Sequence, residues 1–348
     1  MYKNLEDPDI RRQAGNDPRS FLAVTESILI VDEIQRVPEL LSYLQVIIDS
    51  VNKPGRFVLT GSAQFEMLDK VSQSLAGRTA LLRLLPLTMQ EAYGNGPPPA
   101  VCEVIHTGLY PRIFDRGLNA FEAMSFYYNT YVERDMRSLL NVRDLSAFDR
   151  FVRMCAARSG QVLNLQSLGS DCGISQNTAT QWLSVLETSY IVYRLRPHFN
   201  NLNKRIIKAP KLYFFDTGLT SYLCGFSDPA QVAIAPSLGS LFETLVVTEL
   251  LKYRFNNGLE SNLFYWRDNT GHEIDVLLDF GTTVLPIEIK LGRTVASDFT
   301  KNILFYKKNN PACTKAVVIY GGDVSWHEHE TYFISWRDLR LFEGLTWE

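Results

Sequence analysis

The spacing of apolar residues changes several times along the chain, and each change marks an element. SILIV at 27–31 is a continuous apolar run, the pattern of a strand buried on both faces, and it ends in Asp32 and Glu33. Leu40, Leu41, Leu44, Ile47, Ile48 and Val51 form a helical stripe across 38–51. A second short strand is predicted at 56–59, ending in Thr60-Gly61-Ser62, and a third at 79–85. Alternating strands and helices imply an α/β layer with a parallel sheet. GNGPPP at 94–99 breaks the pattern, and 101–145 is predicted mostly helical, with TGLYPRIF as a loop and a helix over 121–140. From 146 to 195 come short helices, a turn at Asp171-Cys172-Gly173, a helix over 175–188 and a strand at 191–195, the order of a winged helix-turn-helix. Beyond Pro236 a helix at 238–253 precedes strands at 263–267, 273–280, 283–290, 316–320 and 331–335, predicting a mixed α/β sheet domain.

Composition narrows the classes. At 348 residues the chain has room for two or three domains at about 150 residues each. With 46% hydrophobic and 21% charged residues it has ordinary globular usage, which excludes fibrous and low-complexity classes. The net charge of −3 argues against a polybasic coat for nucleic acid. It hides an uneven distribution, because 191–215 holds six cations and no acid. The five cysteines are scattered, with no CxxC and no zinc-ligand spacing, as expected of free thiols in a reducing cytoplasm. No apolar run approaches the ~18 residues of a membrane span, and the N-terminus has no secretory apolar region, so neither a membrane nor a secreted location is expected.

Three constellations carry chemistry. In the first, the strand ILIVDE delivers two acids at its C-terminal end, as a P-loop ATPase does to hold Mg²⁺ (Asp32) and to polarise the attacking water (Glu33). Thr60 and Ser62 follow the next strand, where a polar γ-phosphate sensor would sit, and Arg78 is a candidate phosphate-sensing arginine. No GxxxxGK[ST] occurs in the sequence, so the loop and lysine that cradle phosphates are not among these residues. A buried strand ending in two acids for no catalytic reason is the competing reading.

In the second, Ser175 caps a helix that opens with Gln176 and Asn177, short polar groups suited to a major groove. Arg194, Arg196, Lys204, Arg205 and Lys208 follow at once as candidate phosphate contacts of a DNA-binding wing. A purely structural or protein-binding winged helix stays open.

The third lies on a hairpin. A Gly281-Thr282 loop pairs Phe280 with Thr283, and counting back sets Asp275 opposite Glu288. Period-two alternation places Glu288 and Lys290 on one face and sends Ile287 and Ile289 into the core. Facing carboxylates repel, which a divalent cation between Asp275 and Glu288 would relieve. Glu243 lies on the helical stripe of Val246, Val247 and Leu250 and so faces the sheet. Glu, Asp, Glu-x-Lys is the order of a PD-(D/E)XK nuclease site, in which acids bind Mg²⁺ and the lysine steadies the attacking water. An ordinary strand with a solvated polar face is the alternative.

With these residues in view, the chain resembles the prokaryotic AAA-type P-loop ATPases that carry a C-terminal DUF4143 domain. The resemblance runs through ILIVDEIQRVPELL, VLTGSAQF, SQSLAGRTALLRLLPLTMQEA, TGLYPRIF, KAPKLYFFDTGL, LFETLVVTELLK, FYWRDNTGHEIDVLLD and PIEIK. It implies a partial P-loop, AAA-type domain at 1–95, a helical lid at 96–145, a winged helix-turn-helix at 146–225 and a PD-(D/E)XK nuclease-like domain at 236–348. Asp32 and Glu33 resemble the Walker B pair, Thr60 or Ser62 a sensor, and Glu243, Asp275, Glu288 and Lys290 fall on the nuclease motif. The expected cofactors are ATP and Mg²⁺, and the expected partners are DNA and further copies of the chain. Family members place a P-loop strand and helix ahead of the LEDPD segment, so this chain is expected to be truncated there and impaired in ATP hydrolysis. The alternatives are a non-catalytic regulatory or interaction protein with vestigial sites, and a Mg²⁺-dependent endonuclease with the ATPase part as scaffold.

Overall fold

The structure, a computed structural model, describes residues 1–23, 28–51, 53–61, 75–94, 96–132, 144–198 and 209–339. The chain divides into two compact units, Met1–Leu81 and Leu82–Glu348. Its strands are β1 (Tyr2–Asn4), β2 (Leu29–Asp32), β3 (Phe57–Leu59), β4 (Gln161–Val162), β5 (Val192–Leu195), β6 (Lys211–Phe214), β7 (Leu263–Arg267), β8 (Glu273–Asp279), β9 (Val284–Lys290), β10 (Ala316–Tyr320), β11 (Trp326–Glu328) and β12 (Thr331–Ser335).

In the first unit β2 lies between β1 and β3, all parallel, with Asn4 beside Asp32 and Val31 beside Leu59. The helix Leu40–Val51 turns Leu40, Leu41 and Leu44 onto Leu29 and Val31 to make the core. The strand predicted at 79–85 does not form. Leu81, Leu82 and Leu84 are exposed and the run straddles the division between the two units, so its apolar residues have no sheet to join.

The second unit begins with short helices. TGLYPRIF is only partly a loop, because Pro111 starts the helix Pro111–Arg116, where its missing N–H costs nothing. The helix expected over 121–140 is described as Ala120–Tyr127 and a π-helical turn Tyr128–Val132; its remainder, like 133–143, lies outside the described residues. Two TGL tripeptides meet here. Gly108, at φ 67°, lies so close to Gly218 that a Cβ would come within 2.8 Å of the Gly218 Cα. Buried Asp216 clasps the contact, accepting the N–H groups of Leu109 (2.7 Å) and Leu219 (2.9 Å).

The helix Leu165–Cys172 ends at left-handed Gly173, and Ser175 caps the helix Gln176–Thr188 by accepting the Thr178 N–H at 3.1 Å. Trp182 packs edge-on against Phe148 and Phe151 in the core of this helical layer. β5 then runs antiparallel to β6, which also pairs with β4.

The third layer is a mixed six-stranded sheet, β11-β12-β10-β9-β8-β7, in which β10 is parallel to β9 and β12. The helix Leu238–Asn256 covers one face, packing Val246 and Leu250 on Val276, Ile287 and Ile289. The helix Lys301–Asn309 covers the other with Ile303 and Tyr306. The hairpin register is the one counted from Gly281: Phe280 N–H donates to the Thr283 carbonyl, and the ladder pairs Asp279 with Val284 and Val276 with Ile287. The alternative of an ordinary strand with a solvated polar face does not hold, because Glu288 is 1% exposed.

Candidate functional site

Asp32 ends the central strand of the parallel sheet. Its carboxylate accepts the Thr60 hydroxyl on one oxygen and the Tyr2 hydroxyl on the other, the latter at 2.5 Å. These bonds, that of Thr60 foremost, hold the Asp32 carboxyl below its usual range. Glu33 follows in the left-handed region at φ 59°, where a non-glycine residue is strained, and accepts the Gln35 side-chain amide. Arg78 forks onto Asp49 of the helix Leu40–Val51, with Nε at 2.5 Å and a second nitrogen at 3.0 Å. Its guanidinium is thereby engaged by a carboxylate. Ser62 lies outside the described residues. An ionised carboxylate with a neighbouring hydroxyl suits a hydrated Mg²⁺, since both hydroxyl bonds leave lone pairs on Asp32.

Ser175, Gln176 and Asn177 are all exposed at the start of their helix. The cations are divided. Arg196 is exposed, whereas Arg194 is bound through Nε (2.8 Å) to Glu187. Lys204, Arg205 and Lys208 lie outside the described residues. The last cation of the acid-free run, Lys211, is 3% exposed.

Lys211 leads to the largest ionic cluster. Its ammonium donates to Glu243 Oε1 at 2.8 Å, pairs with Glu273, and lies 3.9 Å from Asp275. Tyr213 donates its hydroxyl to the same Glu243 oxygen at 2.5 Å. Lys290 reaches Glu288 at 2.5 Å and lies 3.9 Å from the other oxygen of Asp275, which also accepts the Ile289 N–H at 2.8 Å. Arg267 pairs with Glu273 at 3.2 Å. The structure therefore brings Glu243, Asp275, Glu288 and Lys290 into one cluster. Lys211, Tyr213, Glu273 and Arg267 complete it and are not picked out by the sequence motif. Glu273 has a visible signal, two residues before Asp275 on the same strand. Lys211 has none, because in sequence it is the last cation of a run without acids.

Electrostatics follow from burial. Burial first, then the Asp275 charge, pushes the Glu288 carboxyl up to about 8 against the opposing pull of Lys290. Burial also raises Glu243, opposed by Lys211. Lys211 is held well above its usual value because the charges around it outweigh its burial cost. Four carboxylates, Glu243, Glu273, Asp275 and Glu288, face three cations, Lys211, Lys290 and Arg267. A divalent ion added to that set would overshoot neutrality, and the acids it would bind already hold ammonium groups. The arrangement does not fit Mg²⁺ between Asp275 and Glu288, and no group of three or more candidate metal ligands occurs among the described residues.

Comparison with known proteins gives matches along most of the chain. Residues 1–93 match a family described as an AAA domain, 99–230 the domain of unknown function DUF8612, and 238–339 the domain of unknown function DUF4143. An AAA domain at the N-terminus and a DUF4143 domain at the C-terminus are thus present. Uncharacterized proteins of Mycobacterium tuberculosis and Mycobacterium bovis are each 31% identical over 279 residues, 80% of this chain. The chain spans 62% of the length of these relatives. Among the described residues, no helix is long and apolar enough to cross a membrane.

Proposed function

We propose that this chain is the Walker B-bearing part of an AAA-type ATP-binding protein that works on duplex DNA. The observation that carries the reading is Asp32, at the end of the middle parallel strand, hydrogen-bonded to Thr60 beyond the neighbouring strand. In such a site Asp32 and Thr60 hold the water shell of Mg²⁺, and the metal, when bound with ATP, neutralises phosphate charge. Glu33 follows directly as the residue that orients water. The phosphate cradle is not contributed by these 348 residues, so nucleotide binding is expected to be weak and metal-dependent. Fluorescent ATP titration with and without Mg²⁺ tests this. Asp32→Asn should remove the metal-dependent part, and an unchanged isotherm rejects the reading.

Contact with DNA is assigned to the exposed start of the helix Gln176–Thr188, with Arg196 and, from the sequence, Lys204, Arg205 and Lys208 as candidate phosphate contacts. In this winged-helix reading Ser175, Gln176 and Asn177 face base edges. Neutralising Lys204, Arg205 and Lys208 should weaken duplex affinity and flatten its dependence on salt in an anisotropy titration. An unchanged salt slope would indicate a protein partner instead. The nuclease-like layout of the C-terminal cluster is kept as geometry, while metal-dependent cleavage is not favoured by its lysines.

A further inference from the structure

Three carboxylates carried on two elements, Glu243 on the helix Leu238–Asn256 and Glu273 and Asp275 on β8, converge on one ammonium. That is the geometry of a cation site, and the cation belongs to the chain. It enters from outside the segment that supplies the acids: Lys211 begins β6, in the β4-β6-β5 sheet, within the 99–230 match, whereas the carboxylates lie within 238–339. The ammonium is sealed in, with Lys211 3% exposed and the Tyr265 ring 5.7 Å away. Lys290 holds a second place in the same cluster, 3.9 Å from the other oxygen of Asp275 and paired with Glu288, which is 1% exposed.

We propose that the Lys211 ammonium is the resident cation of this cluster and keeps it from binding a divalent metal ion. Lysine and metal compete for the same carboxylates: with Lys211 in place, an incoming ion meets acids that are already paired and a positive charge at close range. Without Lys211, Glu243, Glu273 and Asp275 regain excess negative charge, which a hard divalent cation would relieve. This inference goes beyond the nucleotide reading and does not rest on it.

The test is a Mn²⁺ titration of the whole chain, without nucleotide, followed by electron paramagnetic resonance. Wild type and Asp275→Asn should give superimposable isotherms, because sites elsewhere, Asp32 included, contribute equally to both. Lys211→Ala should gain one further bound Mn²⁺ per chain that wild type does not take up over the same concentration range. The double variant, Lys211→Ala with Asp275→Asn, should lose that ion again. A wild-type Mn²⁺ site that disappears in Asp275→Asn overturns the proposal, and so does a folded Lys211→Ala that gains nothing. Where Lys211→Ala does not fold, Lys211→Gln, neutral and of similar reach, replaces it: a folded Lys211→Gln that gains an ion lost again with Asp275→Asn supports the proposal, and one that gains none ends it. None of these outcomes alters the Asp32→Asn test of ATP binding.

Discussion

Asp32 and Asp275 both lie on strands of a sheet, and their surroundings differ in kind. Asp32 is held by two hydroxyls, Thr60 and Tyr2, neutral groups that stabilise a negative charge without cancelling it. Asp275 lies 3.9 Å from each of two ammonium groups, Lys211 and Lys290. A carboxylate among hydroxyls remains available to a cation from outside, whereas one among lysines has already met its counter-ions. Spacing of acids alone therefore says little about metal binding. What decides is whether the donors facing them carry charge.

The largest expected effect that would break this contrast is on folding. Lys211→Ala removes the buried ammonium shared by half-buried Glu243 and Glu273, of which only Glu273 keeps a cation, Arg267; breaking a buried pair from one side costs about 3–5 kcal/mol. Urea unfolding measures it; a loss below about 1 kcal/mol, the range of exposed pairs, would mean that the cluster is solvated and the contrast false. The matching change at the other site, Thr60→Val, removes one hydroxyl bond to a partly exposed carboxylate and is expected to cost less, about 1 kcal/mol.

A pH series sharpens the comparison further. The Glu288 carboxyl is raised from 4.5 to about 8 by burial, so the folded chain holds a proton there that the unfolded chain has lost. That contribution is complete below pH 4.5 and disappears as the pH rises through about 8. Wild type should lose stability across this window relative to Glu288→Gln, and parallel curves would show that Glu288 titrates normally. Asp32 behaves in the opposite sense, since its depressed carboxyl adds stability above its unfolded value that is lost on acidification. The smallest expected change is in this group: Thr60→Val should raise the Asp32 carboxyl toward its usual value, followed by its NMR titration.

Local pattern made much of this architecture legible. The β9 hairpin register follows from a glycine in a two-residue loop, and the Gln176–Thr188 helix from a serine cap and an apolar stripe. Both depend on neighbours in sequence. What stayed hidden depends on distant chain segments meeting. The run 79–85 reads as a strand by its leucines, yet a strand needs a partner and none of the described residues supplies one. Alternation puts Glu288 on the face away from Ile287 and Ile289, but nothing in PIEIK reports how deeply that face is buried. Lys211 is the sharpest case: in sequence it completes a basic run, and in space it is surrounded by acids.

The origin of that lysine also determines how the molecule can be divided. Boundaries drawn from sequence matches would permit a cut between residues 230 and 238, yielding a tidy C-terminal fragment. Such a fragment would leave with Glu243, Glu273 and Asp275 and without the Lys211 ammonium they share. It would be a fragment in chemical debt, drawing in water, protons or metal ions that the intact chain keeps out, and any cation affinity measured on it would belong to the cut rather than to the protein.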